Sequence, residues 1–368
     1  AALLANGLSN ETVEITLLES EQIGIIGVGE GSTPKMRRLF ELLKIPESVW
    51  MPKCNATYKC GIRFPGWSTR RGFNSYYHPF FSNSDDMSIR AFYQNATIRS
   101  KSFDVHAHPD SFFVSNFLAK NMRAPLPDNT TDYKTDYAYH FDAVGIGHVL
   151  KDFAIENGVK HLVDTVTEVQ QDEEGNISSV KSEKIGTTEA NFFMDCTGFA
   201  SRLICKTLGV QFIPYGEMLF NDRAVAMPTP LGSDDKLPCQ TISRAAKFGW
   251  IWNIPLKNRF GNGYVYSSDF VDESSAEEEL RLHLGTMNSD TEARHLKMRV
   301  GRLSHCWEKN CLAVGLSQGF IEPLEATALM VVQDTVESFL DSYKRGNLTD
   351  RHKDDTNKKV NLIFDGIK

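Results

Sequence analysis

A lysine within an apolar, strand-like run is the first residue of this 368-residue chain that could do chemistry. Lys59 lies in the run Tyr58–Phe64. Such a lysine either extends its amine to solvent along its apolar stem or is buried for a function. The run alone favours the solvent-exposed amine. Burial would lower the pKa of the amine and increase its neutral, nucleophilic fraction.

A carboxylate near the start of a predicted helix is the second candidate. The pattern predicts a helix from about 323 to 344, with Pro323 at its first position and Glu325 in its first turn. Acids are frequent there because they cap the helix and oppose its dipole, and position alone favours that structural role. The exposed N–H groups of the same helix start also make it a natural anion site.

Aromatic residues spaced two apart could hold a flat ring. Trp250 and Trp252 lie in the run Gly249–Pro255, and on a strand their side chains point to the same face. We therefore predict an aromatic wall against a large planar guest rather than ordinary core filling. His78 and Phe80 repeat this spacing and could stack on a flat substrate, although packing of loop aromatics on the core is an equal alternative.

A strand end and two glycines indicate a dinucleotide site. Val13–Glu19 is typical of a buried strand whose terminal carboxylate accepts from ribose hydroxyls, although Glu19 alone is weak evidence. The Gly-x-Gly-x-x-Gly turn that should precede it is absent, which we interpret as truncation of the chain. Gly198 and Gly315 suit positions where the backbone approaches a ligand closely.

Composition argues against several classes of protein. The chain is 41% hydrophobic and 24% charged with a net charge of −7, which indicates an ordinary soluble protein without a nucleic-acid-binding surface. No apolar run approaches the roughly 18 residues that span a membrane. The seven cysteines lack metal-ligand spacing, so we expect reduced thiols in a cytoplasmic protein and no metal site.

Strand and helix patterns alternate along the chain, which predicts an α/β fold. We expect helices at about 34–44, 145–157 and 275–286, strands near 162–169, 177–183 and 191–195, and a hairpin turn at 172–176. Residues 65–138 show little periodicity and predict a loop-heavy insertion over a site.

Several motifs, in order along the chain, resemble the flavin-dependent tryptophan halogenase family. They are Gly27-Val28-Gly29-Glu30 with Thr33-Pro34, Tyr139-His140-Phe141-Asp142-Ala143, Asp195-Cys196-Thr197-Gly198, Trp250-x-Trp252-x-Ile254-Pro255, the run 259–268, and Gly315-Leu316-Ser317 leading to the run 320–325. The Trp-x-Trp-x-Ile-Pro signature sets this family apart from related flavin monooxygenases. Each motif is weak alone, but the ordered set covers nearly the whole chain.

The resemblance implies an FAD-binding, flavin monooxygenase-like α/β fold with an inserted substrate-side sheet. The expected organisation is an FAD-binding module at 1–64, 139–205 and 297–345, a substrate-side insertion at 65–138 and 206–296, and the start of a C-terminal helical region at 346–368. The FAD module would thus be assembled from non-contiguous segments.

Lys59 and Glu325 fall on the catalytic positions of the family. The resemblance implies that reduced FAD, O2 and a halide (chloride, bromide or iodide) generate hypohalous acid, which Lys59 holds by hydrogen bonding or converts to a haloamine. Glu325 would polarise the halogenating species or accept the proton of an aromatic ring of indole or phenol type. Thr327 and Ala328 fall on the halide positions, and His78 and Phe80 on the substrate positions.

Further residues are implied by the same resemblance. The cofactor-binding positions are Glu19, Gly29, Glu30, Asp195, Gly198, Gly315 and Leu316, and the wall on the flavin side is Trp250, Trp252, Ile254 and Pro255. A separate flavin reductase would supply reduced FAD, and the other partner is a small aromatic substrate. We expect no nucleic-acid or membrane partner, and a homodimer stays open.

Two residues depart from the family pattern Phe-x-x-Pro-x-x-Ser-x-Gly. Ala326 lacks the serine hydroxyl near the lysine, and the methyl group of Ala328 would crowd the halide position. Both differences affect only side chains and leave the backbone amides in place, so halide binding is still expected. The alternatives are an FAD-dependent aromatic monooxygenase, which the tryptophan signature argues against, and a catalytically inactive flavin-binding homologue, which the two alanines favour.

Overall fold

The structure is a computed structural model that describes residues 1–23, 30–126, 134–232 and 236–368. Among these residues the helices are α1 (Ala2–Gly7), α2 (Lys35–Leu43), α3 (Glu47–Lys53), α4 (Asp86–Ser100), α5 (Val114–Lys120), α6 (Ala143–Glu156), α7 (Glu273–Leu284), α8 (Ala328–Arg345) and α9 (Lys353–Ile367).

The strands of the first half of the chain are β1 (Thr16–Glu19), β2 (Glu30–Gly31), β3 (Thr57–Lys59), β4 (Gly61–Pro65), β5 (Ser75–Pro79), β6 (Ala138–Phe141), β7 (Lys160–Val163), β8 (Val166–Gln171), β9 (Ile177–Ser182) and β10 (Gly186–Glu189). Those of the second half are β11 (Phe193–Asp195), β12 (Phe212–Pro214), β13 (Arg223–Pro230), β14 (Thr241–Ala245), β15 (Gly249–Pro255), β16 (Arg259–Tyr266), β17 (Arg294–Lys297), β18 (Gly301–Leu303), β19 (Trp307–Glu308), β20 (Cys311–Ala313) and β21 (Gly319–Phe320).

Most of the predicted elements are present, with boundaries that shift by a few residues. The predicted helices at 34–44, 145–157 and 275–286 correspond to α2, α6 and α7. The predicted turn at 172–176 joins β8 to β9, and Gly175 adopts a positive φ there. Parallel pairing of β1 with β7 and of β11 with β20 gives the α/β character that the alternating pattern predicts.

One seven-stranded sheet carries the tryptophan pair. Its order is β17-β13-β16-β15-β14-β4-β5, and only the β14–β4 pair in it is parallel. Strands from the early chain thus extend a sheet that is otherwise built from residues 223–297. The domain boundary predicted at residue 64 falls inside β4, so the predicted FAD-binding segment 1–64 and the predicted insertion share this sheet.

The segment 65–138, predicted to be loop-heavy, includes two helices. It contains α5 and the fifteen-residue helix α4, whose first turn carries Asp86. No residue of α4 is buried, so its sequence lacks the apolar stripe by which an amphipathic helix is recognised. The weak periodicity therefore concealed two helices, although most described residues of the segment lie outside α-helices and strands, as the loop-heavy prediction expects.

The long C-terminal helix also begins later than predicted. Pro323–Glu325 forms a separate 3-10 turn, Ala326 adopts a left-handed conformation with φ of 57°, and α8 begins at Ala328. Glu325 therefore lies before the helix rather than in its first turn. Thr327 and Ala328 lie at the N-terminus of α8.

Candidate active site

Lys59 is a buried amine at the end of β3. It pairs with Ala138 on β6, and 0% of its surface is exposed. Its Nζ donates a hydrogen bond to the carbonyl oxygen of Ser32 at 2.9 Å. Ser32 is itself fixed because its N–H and its hydroxyl both donate to the carbonyl oxygen of Tyr139. The solvent-exposed lysine that the run alone favours is therefore wrong, and the buried alternative is the observed one.

Burial changes the charge state of this lysine. Desolvation of the ammonium form lowers the pKa of Lys59 to about 7, and the negative charge of Glu325 acts in the opposite direction. A group with this pKa is a mixture of amine and ammonium at neutral pH. The neutral fraction carries a free lone pair, which an ordinary surface lysine lacks at the same pH.

Glu325 faces the aromatic side of β5. Its side chain is 53% exposed, and its Oε1 lies 4.0 Å from Nδ1 of His78. The pKa of Tyr76 is raised, first by burial and then by the charge of Glu325. Tyr76 and His78 are two residues apart on one strand, so they share a face, and Phe80 continues that row to within 5.7 Å of the Lys59 amine.

Four chain segments meet next to the lysine amine. A Cβ atom added at Gly31 would lie 3.3 Å from Nζ of Lys59, 3.5 Å from Cβ of Ala326 and 3.6 Å from Oγ1 of Thr241. The strands β2, β3 and β14 and the turn before α8 therefore surround one small space. Lys59, Thr241 and Ala326 line it, so the sequence prediction that Lys59 and the 325–326 turn belong to one site agrees with this geometry.

A buried histidine supports Thr241 from behind. Nδ1 of His140 lies 3.0 Å from Oγ1 of Thr57, and its Nε2 lies 2.9 Å from Oγ1 of Thr241. Thr57 donates its single hydroxyl proton to the carbonyl oxygen of Pro255 at 2.7 Å, so its oxygen accepts from His140 Nδ1–H. Burial and the nearby Lys59 hold the pKa of His140 well below its usual value, so the ring is neutral.

The proton positions of this network follow from that tautomer. Because Nδ1 of His140 carries the hydrogen, its Nε2 accepts from the hydroxyl of Thr241. The Thr241 oxygen then keeps lone pairs free as acceptors toward the space beside Lys59. Sequence analysis did not select Thr241 or the partnered role of His140, because three separate strands bring them together and no local pattern marks them.

The tryptophan pair is packed inside the protein. Trp250 is 2% exposed and Trp252 is 6% exposed, and their rings lie 6.2 Å apart at an interplanar angle of 58°. They share a core cluster with the buried Ile254 and with Leu324. Pro255 is also buried. The expectation that the pair is not ordinary core filling was therefore wrong, because the two indoles are tilted and pack in a core beneath the turn that carries Glu325. Their role as a wall on the flavin side stays a prediction.

Two contacts connect this cluster to its surroundings. Nε1 of Trp250 donates a hydrogen bond to the Glu322 carboxylate, three residues before Glu325. Trp252 lies opposite Gly263 on β16, and a Cβ at that glycine would lie 2.0 Å from the indole ring. The pair therefore fixes the 322–325 turn and depends on a glycine in the neighbouring strand.

Two glycines at the carboxyl ends of adjacent parallel strands form a cradle. Gly198 follows β11 and Gly315 follows β20, with φ values of 67° and 68°. Among the described residues, no atom lies within 4 Å of a Cβ added at Gly198, and only a Val332 methyl group lies within that distance at Gly315. The buried Ser317 hydroxyl nearby has no hydrogen-bond partner among the described residues. Open space beside bare backbone fits the FAD that the resemblance implies.

Asp195 has a different task from the direct cofactor contact predicted for it. Its Oδ1 accepts from the N–H and hydroxyl of Thr197, and its Oδ2 accepts from the N–H groups of Leu203 and Ile204. The buried carboxylate is thus occupied by four donors of the chain itself. Asp195 holds the turn that presents Gly198, so the sequence motif marks a positioning residue.

The other predicted cofactor residues are spread over three places. Glu19 ends β1 as predicted, and its half-exposed carboxylate accepts from His161 at 2.8 Å and contacts Lys151 at 3.3 Å. Glu30 lies in β2 directly before Gly31, and Leu316 follows Gly315 in a 3-10 turn. Gly29 lies outside the residues that the structure describes.

The predicted halide positions lie at the N-terminus of α8. Thr327 precedes the first helical residue, Ala328, which is exposed. Ala326, one residue earlier, is the residue that contacts the space beside Lys59. Residues 326–328 therefore connect the lysine site to an exposed helix start, where free N–H groups favour an anion.

Neither a metal-ligand cluster nor a membrane-spanning helix occurs in the described part of the chain. No group of three or more His, Cys, Asp or Glu side chains in residues 1–23, 30–126, 134–232 and 236–368 could hold a metal ion. No helix in those same residues is long and apolar enough to cross a membrane.

The amino-acid sequence matches the tryptophan halogenase family over residues 1–368. It is 35% identical to the tryptophan 6-halogenase SttH of Streptomyces toxytricini, over 97% of this chain and 72% of that protein. It is 33% identical to the tryptophan 7-halogenase RebH of Lentzea aerocolonigenes, over 97% of this chain and 70% of that protein.

Solved structures show the same similarity. The crystal structure of SttH superposes with a TM-score of 0.88, covering 100% of this chain and 75% of that one. A tryptophan C-6 flavin-dependent halogenase (chlorinase) from taromycin biosynthesis gives a TM-score of 0.88 at 36% identity, covering 100% of this chain and 74% of that one. These similarities confirm the predicted fold class.

Proposed function

Because the chain belongs to the tryptophan halogenase family, we propose that Lys59 and Glu325 direct hypohalous acid to an electron-rich aromatic ring. The enzyme is an FAD-dependent halogenase, which confirms the reaction class and the two cofactors, reduced FAD and halide, that the sequence resemblance implies. When bound and reduced, FAD would supply, together with O2, the oxidising equivalent that converts the halide to hypohalous acid.

The buried amine of Lys59 is the observation that carries this proposal. An amine with a pKa of about 7, anchored to the Ser32 carbonyl and shielded from water, offers a lone pair at neutral pH. That lone pair holds the halogen end of hypohalous acid or accepts its proton, while the remaining N–H groups fix the direction. An exposed lysine would be almost fully protonated under the same conditions.

Glu325 acts on the aromatic substrate. The halogen of hypohalous acid adds to a ring carbon, and the hydroxide left behind becomes water with the proton that Glu325 takes from the ring. The proton of the same ring carbon passes to the Glu325 carboxylate and restores aromaticity. The half-exposed position of Glu325, 4.0 Å from His78, suits a group that contacts a ligand rather than the core.

Thr241 contributes a hydroxyl next to the amine. The family serine position is Ala326 here, and the methyl group of Ala326 and the Thr241 oxygen border the same space at Gly31. His140 orients the Thr241 hydroxyl by accepting a hydrogen bond from it. The free lone pairs of Thr241 then accept from hypohalous acid held at Lys59, which supports an active enzyme over the inactive-homologue alternative.

An indole is the proposed substrate class. The row Tyr76, His78 and Phe80 presents aromatic faces on the side of β5 that Glu325 and Lys59 share. The relatives SttH and RebH are named as tryptophan 6- and 7-halogenases. Tryptophan is therefore the first substrate to test, followed by simpler indoles and phenols.

FAD and halide are assigned to neighbouring backbone sites. Gly198, Gly315 and Leu316 would contact the flavin end of the cofactor through the backbone, and Glu19 would accept from its ribose. Glu30, directly before Gly31 in β2, would be a further contact of the cofactor. Thr327 and Ala328 would bind the halide through their N–H groups. A separate flavin reductase would supply the reduced cofactor.

A product screen tests this function. The protein is incubated with a flavin reductase, NADH and FAD, with chloride, bromide or iodide in parallel, and tryptophan, indoles and phenols are analysed by mass spectrometry. The expected result is a halide-dependent product with the halogen isotope pattern. Hydroxylated product without halide would instead indicate a monooxygenase. Bound, reducible FAD without any product would indicate an inactive homologue.

A further inference from the structure

Two buried thiols lie in contact directly beside the lysine segment. Cys60 follows Lys59 in the chain, and Cys239 lies two residues before Thr241. Cys60 is 0% exposed and Cys239 is 7% exposed, and both belong to one core cluster with Tyr77. The oxidising chemistry proposed above does not use either thiol.

The backbone brings the two cysteines within bridging distance. The N–H of Cys60 donates to the carbonyl oxygen of Cys239 at 2.7 Å. Residues joined by such a bond between adjacent extended segments have Cα atoms roughly 4.5–6 Å apart, and disulfides span Cα separations of about 4.4–6.8 Å. Both side chains belong to one buried cluster. The Cys239 thiol also donates to the carbonyl oxygen of Arg123 at 3.1 Å.

The two thiols are chemically unequal. The hydrogen bond from Cys60 lowers the pKa of Cys239, whereas the same bond and burial raise the pKa of Cys60. Cys239 is also the more exposed of the two. The adjacent Gln240 lines a cavity of about 680 Å³ together with Arg63 and Lys120, so this cavity borders the segment that holds Cys239. Cys239 is therefore the attacking thiol and Cys60 the buried resolving thiol.

A polar group without a partner completes the cluster. The hydroxyl of Tyr77 is buried and has no hydrogen-bond partner among the described residues. Tyr77 belongs to the same buried cluster as the two cysteines. A phenol in this position can donate to a halide or hydroxide ion that leaves a sulfur atom.

We propose that Cys60 and Cys239 form a reversible oxidation site that consumes hypohalous acid and closes to a disulfide. The Cys239 sulfur attacks the halogen of HOX, which gives a sulfenyl halide and, with the thiol proton, water. The Cys60 sulfur then attacks Cys239, the S–S bond forms, and halide leaves with the second thiol proton. One HOX is reduced to halide and water while two thiols are oxidised.

This site rests on the proposed function for the source of the oxidant, because hypohalous acid arises in the same protein. The disulfide would join the backbone directly after Lys59 to the segment that leads to Thr241. Hypohalous acid that escapes substrate is thereby removed beside the residues that hold it. The thiol pair protects the buried lysine and the Trp250–Trp252 cluster from over-oxidation.

Two arms of one experiment test the pair. In the first, the full chain without turnover receives a small molar excess of hypobromite, and free thiols are alkylated before digestion without reductant. In the second, turnover with a flavin reductase runs with bromide and without halide. The expected result is a crosslinked Cys60–Cys239 peptide in most of the protein after hypobromite and after turnover with bromide. Dithiothreitol should reverse it, and halide-free turnover should not produce it.

Controls separate the pair from general thiol damage. Cys306 is a buried single thiol and should remain alkylatable after denaturation, whereas the exposed Cys196 should oxidise without forming the crosslink. In Cys239→Ser, Cys60 should stay reduced. The crosslink is detected in the wild-type protein, so the test of the proposal stands even if Cys239→Ser fails to fold.

The outcomes distinguish this inference from the proposed function. Separate sulfinic acids, or two free thiols after hypobromite, would overturn the disulfide site whatever the enzyme does in turnover. Halogenated product without the crosslink in turnover would show that the thiol pair does not consume the hypohalous acid that the enzyme makes, and would overturn the proposal. A crosslink with hypobromite but no halogenated product and no crosslink in turnover would contradict the proposed function and leave the thiol chemistry supported.

Discussion

The Nζ of Lys59 lies 2.9 Å from the carbonyl oxygen of Ser32, and the lysine has no exposed surface. A single backbone carbonyl accepts from the amine and from the ammonium form alike, whereas burial penalises only the charged form. The pKa of about 7 is thus a property of the position in the fold. The site holds an amine that changes its charge close to neutral pH.

Replacing Lys59 with methionine should stabilise the protein at low pH. The folded-state pKa of about 7 lies below the usual 10.5, so between these values the unfolded chain binds a proton that the folded chain does not. Wild-type stability therefore rises with pH from about 7 to 10.5 and is independent of this group below about 7. Lys59→Met removes the cost of the buried charge, on the order of 5 kcal/mol at most.

Urea denaturation at pH 6 and pH 9 measures this difference. The gain from Lys59→Met should be larger at pH 6 than at pH 9. The exposed Lys160 on β7 provides the matched control, and Lys160→Met should show no such pH dependence. An equal gain at both pH values would contradict the lowered pKa of Lys59.

Replacing Glu325 with glutamine should slow halogenation and shift its pH dependence. Loss of the proton acceptor should lower kcat by about 10²-fold. The wild-type kcat/KM should rise through a pH of about 7 as Lys59 loses its proton, and removal of the Glu325 charge should move this inflection to lower pH. Glu308→Gln, on the short strand β19, is the matched control. Full activity in Glu325→Gln would refute the assigned role.

Replacing Thr241 with valine should impair halogenation while threonine-to-serine exchange should not. Valine keeps the shape but leaves Nε2 of the buried His140 without its donor, at a cost of about 1–3 kcal/mol in stability. Thr241→Ser retains the hydroxyl and should recover most of the activity. Rates per folded, FAD-bound protein separate chemistry from stability. Equal rates in the valine and serine variants would show that the hydroxyl only supports the fold.

Replacing Gly263 with alanine should destabilise the protein by about 3 kcal/mol. The new Cβ would lie 2.0 Å from the Trp252 ring and 2.6 Å from the carbonyl oxygen of Val225, and the backbone contact cannot give way easily. Gly147→Ala is the control, because it adds a methyl group in open space on helix α6 and should stabilise slightly. A neutral Gly263→Ala in urea denaturation would show that the tryptophan pair repacks readily.

Local sequence signals explain which parts of this site were predictable. Lys59, Glu325 and the glycines at 198 and 315 each lie in a short run whose residue types limit the backbone or the environment. The family resemblance then placed Lys59 and Glu325 in one site, and the structure brings Lys59 and the turn after Glu325 around one space. The parallel β1 strand ending at Glu19 was predictable for the same reason.

Other features depend on contacts between distant segments. Thr241 and His140 lie 101 residues apart and act together only because β14 and β6 converge. The spacing of Trp250 and Trp252 fixed their common face but not what covers it, and the covering residues include Leu324 from the far end of the chain. Helix α4 buries none of its residues, so it has no apolar periodicity to detect.

Separating the formation of hypohalous acid from its delivery tests the central role of Lys59 most directly. Wild type and Lys59→Met are compared for O2 consumption, for halogenated tryptophan and for hypohalous acid captured by added taurine, after FAD binding is verified in both. The account predicts that Lys59→Met consumes O2 and releases hypohalous acid to taurine but halogenates no tryptophan. Halogenated tryptophan at the wild-type rate in Lys59→Met would contradict it.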